Sequence, residues 1–115
     1  MLWEIIFYLT ASGRSPVEEI IDSLTSKEKA KVIWLFDLLV KHDAFLGEPY
    51  VKKVTDELWE LRLLGKGRHR RFLFSFDEKV IVMLHALSKK SRRLSPKDIN
   101  TALLRLKDYR QRREK

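Results

Sequence analysis

The spacing of the apolar residues changes its period near residue 57, and this change limits the folds open to the chain more than any other feature. In the first half, apolar residues recur at the i, i+3, i+4, i+7 spacing of an amphipathic helix, as in Val32, Leu35, Phe36 and Leu39. The second half holds three strand-length segments, at residues 57–63, 69–76 and 79–87. A helical half followed by a run of strands indicates an α+β fold.

Three short polar motifs predict where helices begin. Each starts with Ser or Thr, whose side chain can accept a hydrogen bond from a backbone N–H that the first helical turn leaves without a partner. The motifs are SPVE at 15–18, TSKE at 25–28 and SPKD at 95–98. With an apolar strand at residues 3–9, the predicted order of elements is β-α-α-β-β-β-α.

These elements predict a single α+β domain over residues 1–115. Its expected architecture is a two-layer fold in which the helices pack on one face of an antiparallel meander. The other face of the sheet, wherever it is not apolar, is then free to bind. The residues after about 110 are almost all polar, so we expect this tail to fray.

Charge is distributed unevenly along the chain, whose formal net charge is +8. Residues 1–51 carry five Lys and Arg against eight Asp and Glu, whereas residues 52–115 carry nineteen against eight. Solubility needs no such asymmetry, so the basic second half favours an anionic partner, either phosphate or an acidic protein segment. The plainer alternative is that these cations only keep the protein in solution.

The composition limits the cellular compartments and the kinds of binding site that we expect for this protein. The chain has no cysteine, which favours a reducing compartment, and no apolar run near the ~20 residues of a membrane span. We therefore expect a cytoplasmic protein that does not contact a membrane. The three histidines show no metal-ligand spacing, and there is no glycine-rich phosphate loop, so neither a metal nor another cofactor is expected.

Strand alternation predicts that Glu60, Arg62 and Arg71 lie on the face away from the main apolar residues of their strands. Further cations flank the three strands, namely Lys52, Lys53, Lys89, Lys90, Arg92 and Arg93. Together these residues form a candidate phosphate-binding rim. Two alternatives stay open, because Glu60 and the arginines could form ion pairs on a solvated face, and His85 could be a hydrogen-bonded core histidine.

Three segments of the second half resemble the RelE/ParE superfamily of bacterial toxins, and most closely its HigB-like, phage-derived branch. They read LWELR at 58–62, RFLF at 71–74 and LHALSKK at 84–90. The resemblance spans residues 51–112 and includes the closing helix, where Ala102, Arg105 and Tyr109 fit. The chain departs from the family pattern at Arg70, where a tyrosine is usual, and at Leu87, where an aromatic residue is usual.

The resemblance implies the toxin of a type II toxin–antitoxin system, acting as a ribosome-dependent, metal-independent endoribonuclease on messenger RNA. In such enzymes the ribose 2′-hydroxyl attacks the adjacent phosphate. Arg62 and Arg71 are then predicted to contact the scissile phosphate, and Lys90 to contact the RNA backbone or to act as the acid. Glu60 and His85 are candidate bases. The predicted RNA-binding residues are Lys52, Lys53, Lys89, Arg92 and Arg93.

The resemblance also implies partners. They are a cognate antitoxin with a helix-turn-helix, and the 70S ribosome with messenger RNA in its A site. Operator DNA is reached only through the antitoxin. Two other functions stay open, a ParE-like inhibitor of DNA gyrase and a non-catalytic nucleic-acid-binding module of phage origin, because a fold does not dictate a function.

Overall fold

The computed structural model describes residues 3–65, 68–89 and 93–113, with the backbone alone at Lys89. Its strands are β1 (Glu4–Phe7), β2 (Val51–Lys53), β3 (Trp59–Leu63), β4 (His69–Asp77) and β5 (Val80–Lys89). Its helices are α1 (Pro16–Asp22), α2 (Ser26–His42) and α3 (Pro96–Arg113), and a short 3-10 helix at Asp43–Leu46 follows α2. The predicted α+β class is confirmed, and the order of elements differs by one short strand, β2.

All five strands belong to one sheet in the order β1-β5-β4-β3-β2. Strands β2 to β5 form an antiparallel meander, as predicted for the last three. Strand β1 pairs in parallel with β5, and α1 and α2 then carry the chain to the opposite edge, where β2 begins. The sequence did not predict β2, because three residues of which two are lysine show no strand pattern.

The helices begin at the predicted capping residues. Ser15 caps α1, and Thr25 forms a reciprocal capping box at α2. Before α3, the Ser95 hydroxyl accepts a hydrogen bond from the backbone N–H of Asp98 at 3.2 Å. This cap fixes the first turn of α3.

Helices pack on both faces of the sheet, so the prediction that they share one face is wrong for α3. Helices α1 and α2 bury Val17 and Leu35 against Phe72 on one side, the α2 face. Helix α3 buries Leu106 against Leu73 on the other side, the α3 face. Adjacent strand residues point in opposite directions. Because β4 and β5 are apolar on both faces, they leave a second apolar surface for α3 to cover.

Polar contacts hold the C-terminal half of α3 against the rest of the fold. The Tyr8 hydroxyl donates to Asp108 at 2.5 Å, and burial together with this bond raises the pKa of Tyr8. Arg110 pairs with Glu57, and Arg113 pairs with acidic side chains of the β4–β5 hairpin. Although α3 is the longest helix, no helix within the described ranges is long and apolar enough to cross a membrane.

Two leucines of α3 test whether this helix packs against the sheet. Leu106 is 1% exposed and Leu104 is 68% exposed. Since Leu106→Ala removes buried apolar surface and leaves a cavity, we expect it to lower the free energy of unfolding by about 2–5 kcal/mol. Leu104→Ala should change it by no more than about 0.5 kcal/mol. Urea denaturation measures both values, and equally small losses would show that α3 does not cover this face.

Candidate nucleic-acid interface

A cleft of about 270 Å³ opens on the α3 face, between β2–β3 and the segment that leads into α3. Cations dominate its lining, with Lys52 and Lys53 from β2, Arg62 from β3 and Arg93 from the segment before α3. Glu60 of β3 also lines it. Five of the predicted site residues therefore come together in one cleft.

The strand register explains why these side chains converge. Lys52 lies opposite Glu60 across β2 and β3, and Arg62 lies opposite Arg71 across β3 and β4. Residues directly opposite one another share a face, as do residues two apart on one strand. All four side chains therefore project to the α3 face. Alternation had placed Glu60, Arg62 and Arg71 away from the main apolar residues of their strands, as the register has them.

The carboxylate of Glu60 connects the two arginines. Its Oε1 accepts a hydrogen bond from Nε of Arg62 at 2.5 Å, and its Oε2 accepts one from a terminal nitrogen of Arg71 at 3.3 Å. Glu60 is 1% exposed, so its charge is compensated by the protein and not by water. Both carboxylate oxygens are therefore engaged in holding guanidinium groups.

Arg62 and Arg71 lie at different depths. The side chain of Arg62 is 21% exposed and lines the cleft, whereas that of Arg71 is 1% exposed and does not. Arg71 is held beneath the cleft by Glu60. The sequence predicted the same role for both arginines, yet in this arrangement Arg62 is the one that a ligand can reach.

His85 is bonded to α3 through both ring nitrogens. Arg105 donates a hydrogen bond to its Nδ1 at 3.2 Å, and its Nε2 lies 2.9 Å from Oδ1 of Asp98. Arginine has only donors, so Nδ1 accepts and Nε2 carries the proton that is donated to Asp98. A register irregularity between β4 and β5 turns both Leu84 and His85 towards α3. His85 does not line the cleft.

The other predicted cations divide into two groups. Lys52 and Lys53 are exposed on β2, and the ammonium of Lys53 lies 5.9 Å from the centre of the Trp59 ring. Lys90 and Arg92 lie outside the described residues, as does the side chain of Lys89. Their predicted contacts with RNA stay predictions.

An apolar wall completes the cleft and was not part of the predicted site. It consists of Val54, Leu94 and Ile99. The sequence carries a weak signal for the first two, since each directly follows a cation of the cleft. Ile99 belongs to the apolar side of α3, and only the folded position of α3 brings it to the cleft.

The cleft combines the features that suit a ribose-phosphate chain. Four cations and a single carboxylate, itself paired with arginines, give it a positive balance that favours phosphate. The apolar wall can contact a base or a sugar. Within the described part of the chain, no three His, Asp or Glu side chains are grouped as metal ligands.

Substitution of Glu60 tests the buried charge cluster. Glu60→Gln removes the charge that compensates Arg71, so we expect the free energy of unfolding to fall by about 3–5 kcal/mol. Glu57 is the matched control, because its carboxylate is half exposed and its pair with Arg110 lies at the surface. Glu57→Gln should cost at most about 1 kcal/mol. A Glu60→Gln protein as stable as Glu57→Gln in chemical denaturation would contradict the cluster.

Comparison with protein families matches residues 19–107, a span that runs from α1 through the whole meander into the second half of α3. The matching description is "Phage derived protein Gp49-like (DUF891)". Comparison with curated proteins finds no match. The matched span contains every residue of the cleft and most of the chain. The chain therefore belongs to the Gp49-like family of phage-derived proteins, which is associated with RelE-like toxins.

Proposed function

We propose that this protein is the toxin of a type II toxin–antitoxin system, in the HigB-like branch, and that it cuts messenger RNA on the ribosome without a metal ion. Membership of a toxin-like family supports the assignment as a toxin. The proposed cleavage of RNA rests on one observation. The guanidinium of Arg62 lines a cationic cleft and is held there by a buried carboxylate.

The proposed reaction is an internal transfer at one phosphate. The ribose 2′-oxygen forms a bond to phosphorus as it loses its proton, and the bond from phosphorus to the 5′-oxygen breaks. The 5′-oxygen takes up a proton, so the products end in a 2′,3′-cyclic phosphate and a 5′-hydroxyl. Negative charge builds on the phosphorane oxygens, and a fixed cation beside them lowers the barrier.

Arg62 is our candidate for that cation. Its Nε is bonded to Glu60, and its exposed part faces the cleft, so its orientation is set before substrate arrives. A planar guanidinium can contact two phosphate oxygens at once, which an ammonium cannot do in the same way. Preorganised charge of this kind is most effective where water is excluded, and a ribosome around the cleft would exclude it.

Glu60 has a positioning role in this proposal and is not the base. Both of its oxygens accept hydrogen bonds from arginines, and taking up a proton would weaken them. His85 is bonded through both ring nitrogens and does not line the cleft. We therefore assign the 2′-hydroxyl proton to a water molecule that stays in the cleft when the ribosome excludes bulk solvent. Lys90, predicted as the acid, stays a prediction.

Other residues of the cleft would bind the RNA chain. Lys52 can contact a backbone phosphate from β2, and Arg93 can do so from the opposite side. Lys53 borders the cleft, but it lies opposite Trp59 and its ammonium is over that ring, so we assign it no phosphate. We further propose that the antitoxin and the 70S ribosome with messenger RNA in its A site are the partners, as the toxin family implies. An acidic antitoxin segment that covers the cleft would compete with RNA for the same cations.

Arg62 variants test the proposal. We expect Arg62→Ala to lower the rate of message cleavage by about 10²–10³-fold and to abolish growth arrest, because it removes a fixed charge at the reacting phosphate. Arg62→Lys should retain part of the rate. Arg110→Ala removes an exposed arginine outside the cleft and should behave like the unaltered protein.

The measurement is inducible expression followed by primer extension on a chosen message, with translation active and with translation blocked. The proposal predicts cuts that need translation and disappear in a folded Arg62→Ala protein. Unchanged cutting by that variant would contradict the role of Arg62. Intact messages with DNA damage would indicate a gyrase inhibitor, and intact messages without it would indicate a binding module.

A further inference from the structure

A second cationic cleft lies on the α2 face of the sheet. It has a volume of about 200 Å³ and is bounded by α2, by the ends of β3 and β4 and by β5. Its cations are Lys31 from α2, Arg68 from the segment before β4, and Arg70 from β4. Ser88 of β5 and one carboxylate, that of Glu28, also line it.

The sheet register separates this cleft from the first. Arg70 lies opposite Leu63 on one side and opposite Ser88 on the other, so these three side chains share the α2 face. Arg71, the next residue, points to the α3 face, where Glu60 holds it. Two consecutive arginines of β4 therefore point to opposite faces, and the two clefts lie on opposite faces of the sheet.

Several hydrogen-bond donors in this second cleft have no acceptor among the described residues. Arg70 uses its Nε for a bond to Glu28 at 2.8 Å, and its terminal nitrogens make no other hydrogen bond there. Lys31 and Arg68 are exposed and form no ion pair within the same ranges. The hydroxyl of Ser88 is buried and likewise lacks a hydrogen-bond partner. A buried polar atom without a partner is costly, and a bound acceptor would satisfy it.

Glu28 positions the Arg70 guanidinium and neutralises only part of the positive charge of the cleft. The bond from Arg70 lowers the pKa of Glu28, so this carboxylate is ionised at neutral pH and holds the Arg70 guanidinium in place. Three cations against one carboxylate leave a formal charge of +2. An anion with several acceptor oxygens in one small group fits this set of donors better than a single carboxylate does.

We propose that this second cleft is a phosphate-binding site that takes a backbone phosphate of RNA. Leu63 and Leu64 also line it, and Leu64 is 45% exposed, so a ribose or base next to the phosphate has an apolar contact that free phosphate would not use. The choice of RNA as the source rests on the proposed function, whereas the phosphate chemistry does not. With both clefts occupied, the protein holds two RNA segments on opposite faces of one sheet.

Salt-dependent RNA binding tests the site. The probe is a fluorescein-labelled 30-nucleotide single-stranded RNA without ribosomes, and the variant is Lys31→Ala/Arg68→Ala. Loss of the contact with this one phosphate should lower the slope of log affinity against log salt concentration by about 0.7, which is the contribution of one phosphate contact with a single strand. The control, Lys41→Ala/Lys107→Ala, removes two exposed lysines outside both clefts and should leave the slope within about 0.3 of the original. Equal slopes for the two double variants would overturn the proposal.

Nuclear magnetic resonance of the unaltered protein separates the sources of phosphate. Shifts of the Arg70 Nε–Hε and Ser88 amide signals with RNA alone identify a polymer site, and equal shifts with sodium phosphate at matched ionic strength identify a site for free phosphate as well. Either result supports a phosphate site. Shifts with polyglutamate that exceed those with RNA would overturn it in favour of an acidic protein segment.

Neither measurement involves cleavage, so the two proposals can fail separately. If messages stay intact while the Lys31→Ala/Arg68→Ala slope falls, the nuclease proposal fails and the second site stands. If messages are cut and the slope does not change, the nuclease proposal stands and the second site fails.

Discussion

Cross-strand pairing sets Arg62 directly opposite Arg71, and two like charges in that position repel one another. Glu60 resolves the conflict because one of its oxygens bonds each arginine. Its own burial is tolerable only while both bonds exist. The three residues therefore stabilise one another, and a ligand meets an Arg62 side chain whose direction the fold has already set.

The same sheet explains how a small domain can offer cations on two sides. Its central strands are apolar on both faces, so α1 and α2 cover one face and α3 covers the other. Near one set of strand ends the apolar residues give way to charged ones, and alternation sends Arg70 to the α2 face and Arg71 to the α3 face. Arg70 thus supplies the second cleft.

Local patterns in the sequence predicted the features that depend on residues close together along the chain. Caps at Ser15, Thr25 and Ser95 located the helix starts, and alternation assigned Glu60 and Arg62 to one face. The patterns could not predict how deeply a side chain is buried, which face of the sheet a helix covers, or which residues of distant elements bond to each other. The burial of Arg71, the side on which α3 packs and the bonds from His85 to α3 each depend on tertiary packing that no local pattern encodes.

The chemistry of the cut ends tests the central claim most directly. RNA ends from a message cut in a purified translation system can be identified by mass spectrometry of the fragments. Attack by the 2′-oxygen, with Arg62 stabilising the charge, predicts a 2′,3′-cyclic phosphate on one fragment and a 5′-hydroxyl on the other. A 3′-hydroxyl with a 5′-phosphate, or a message that stays whole in the presence of folded protein, would contradict the account.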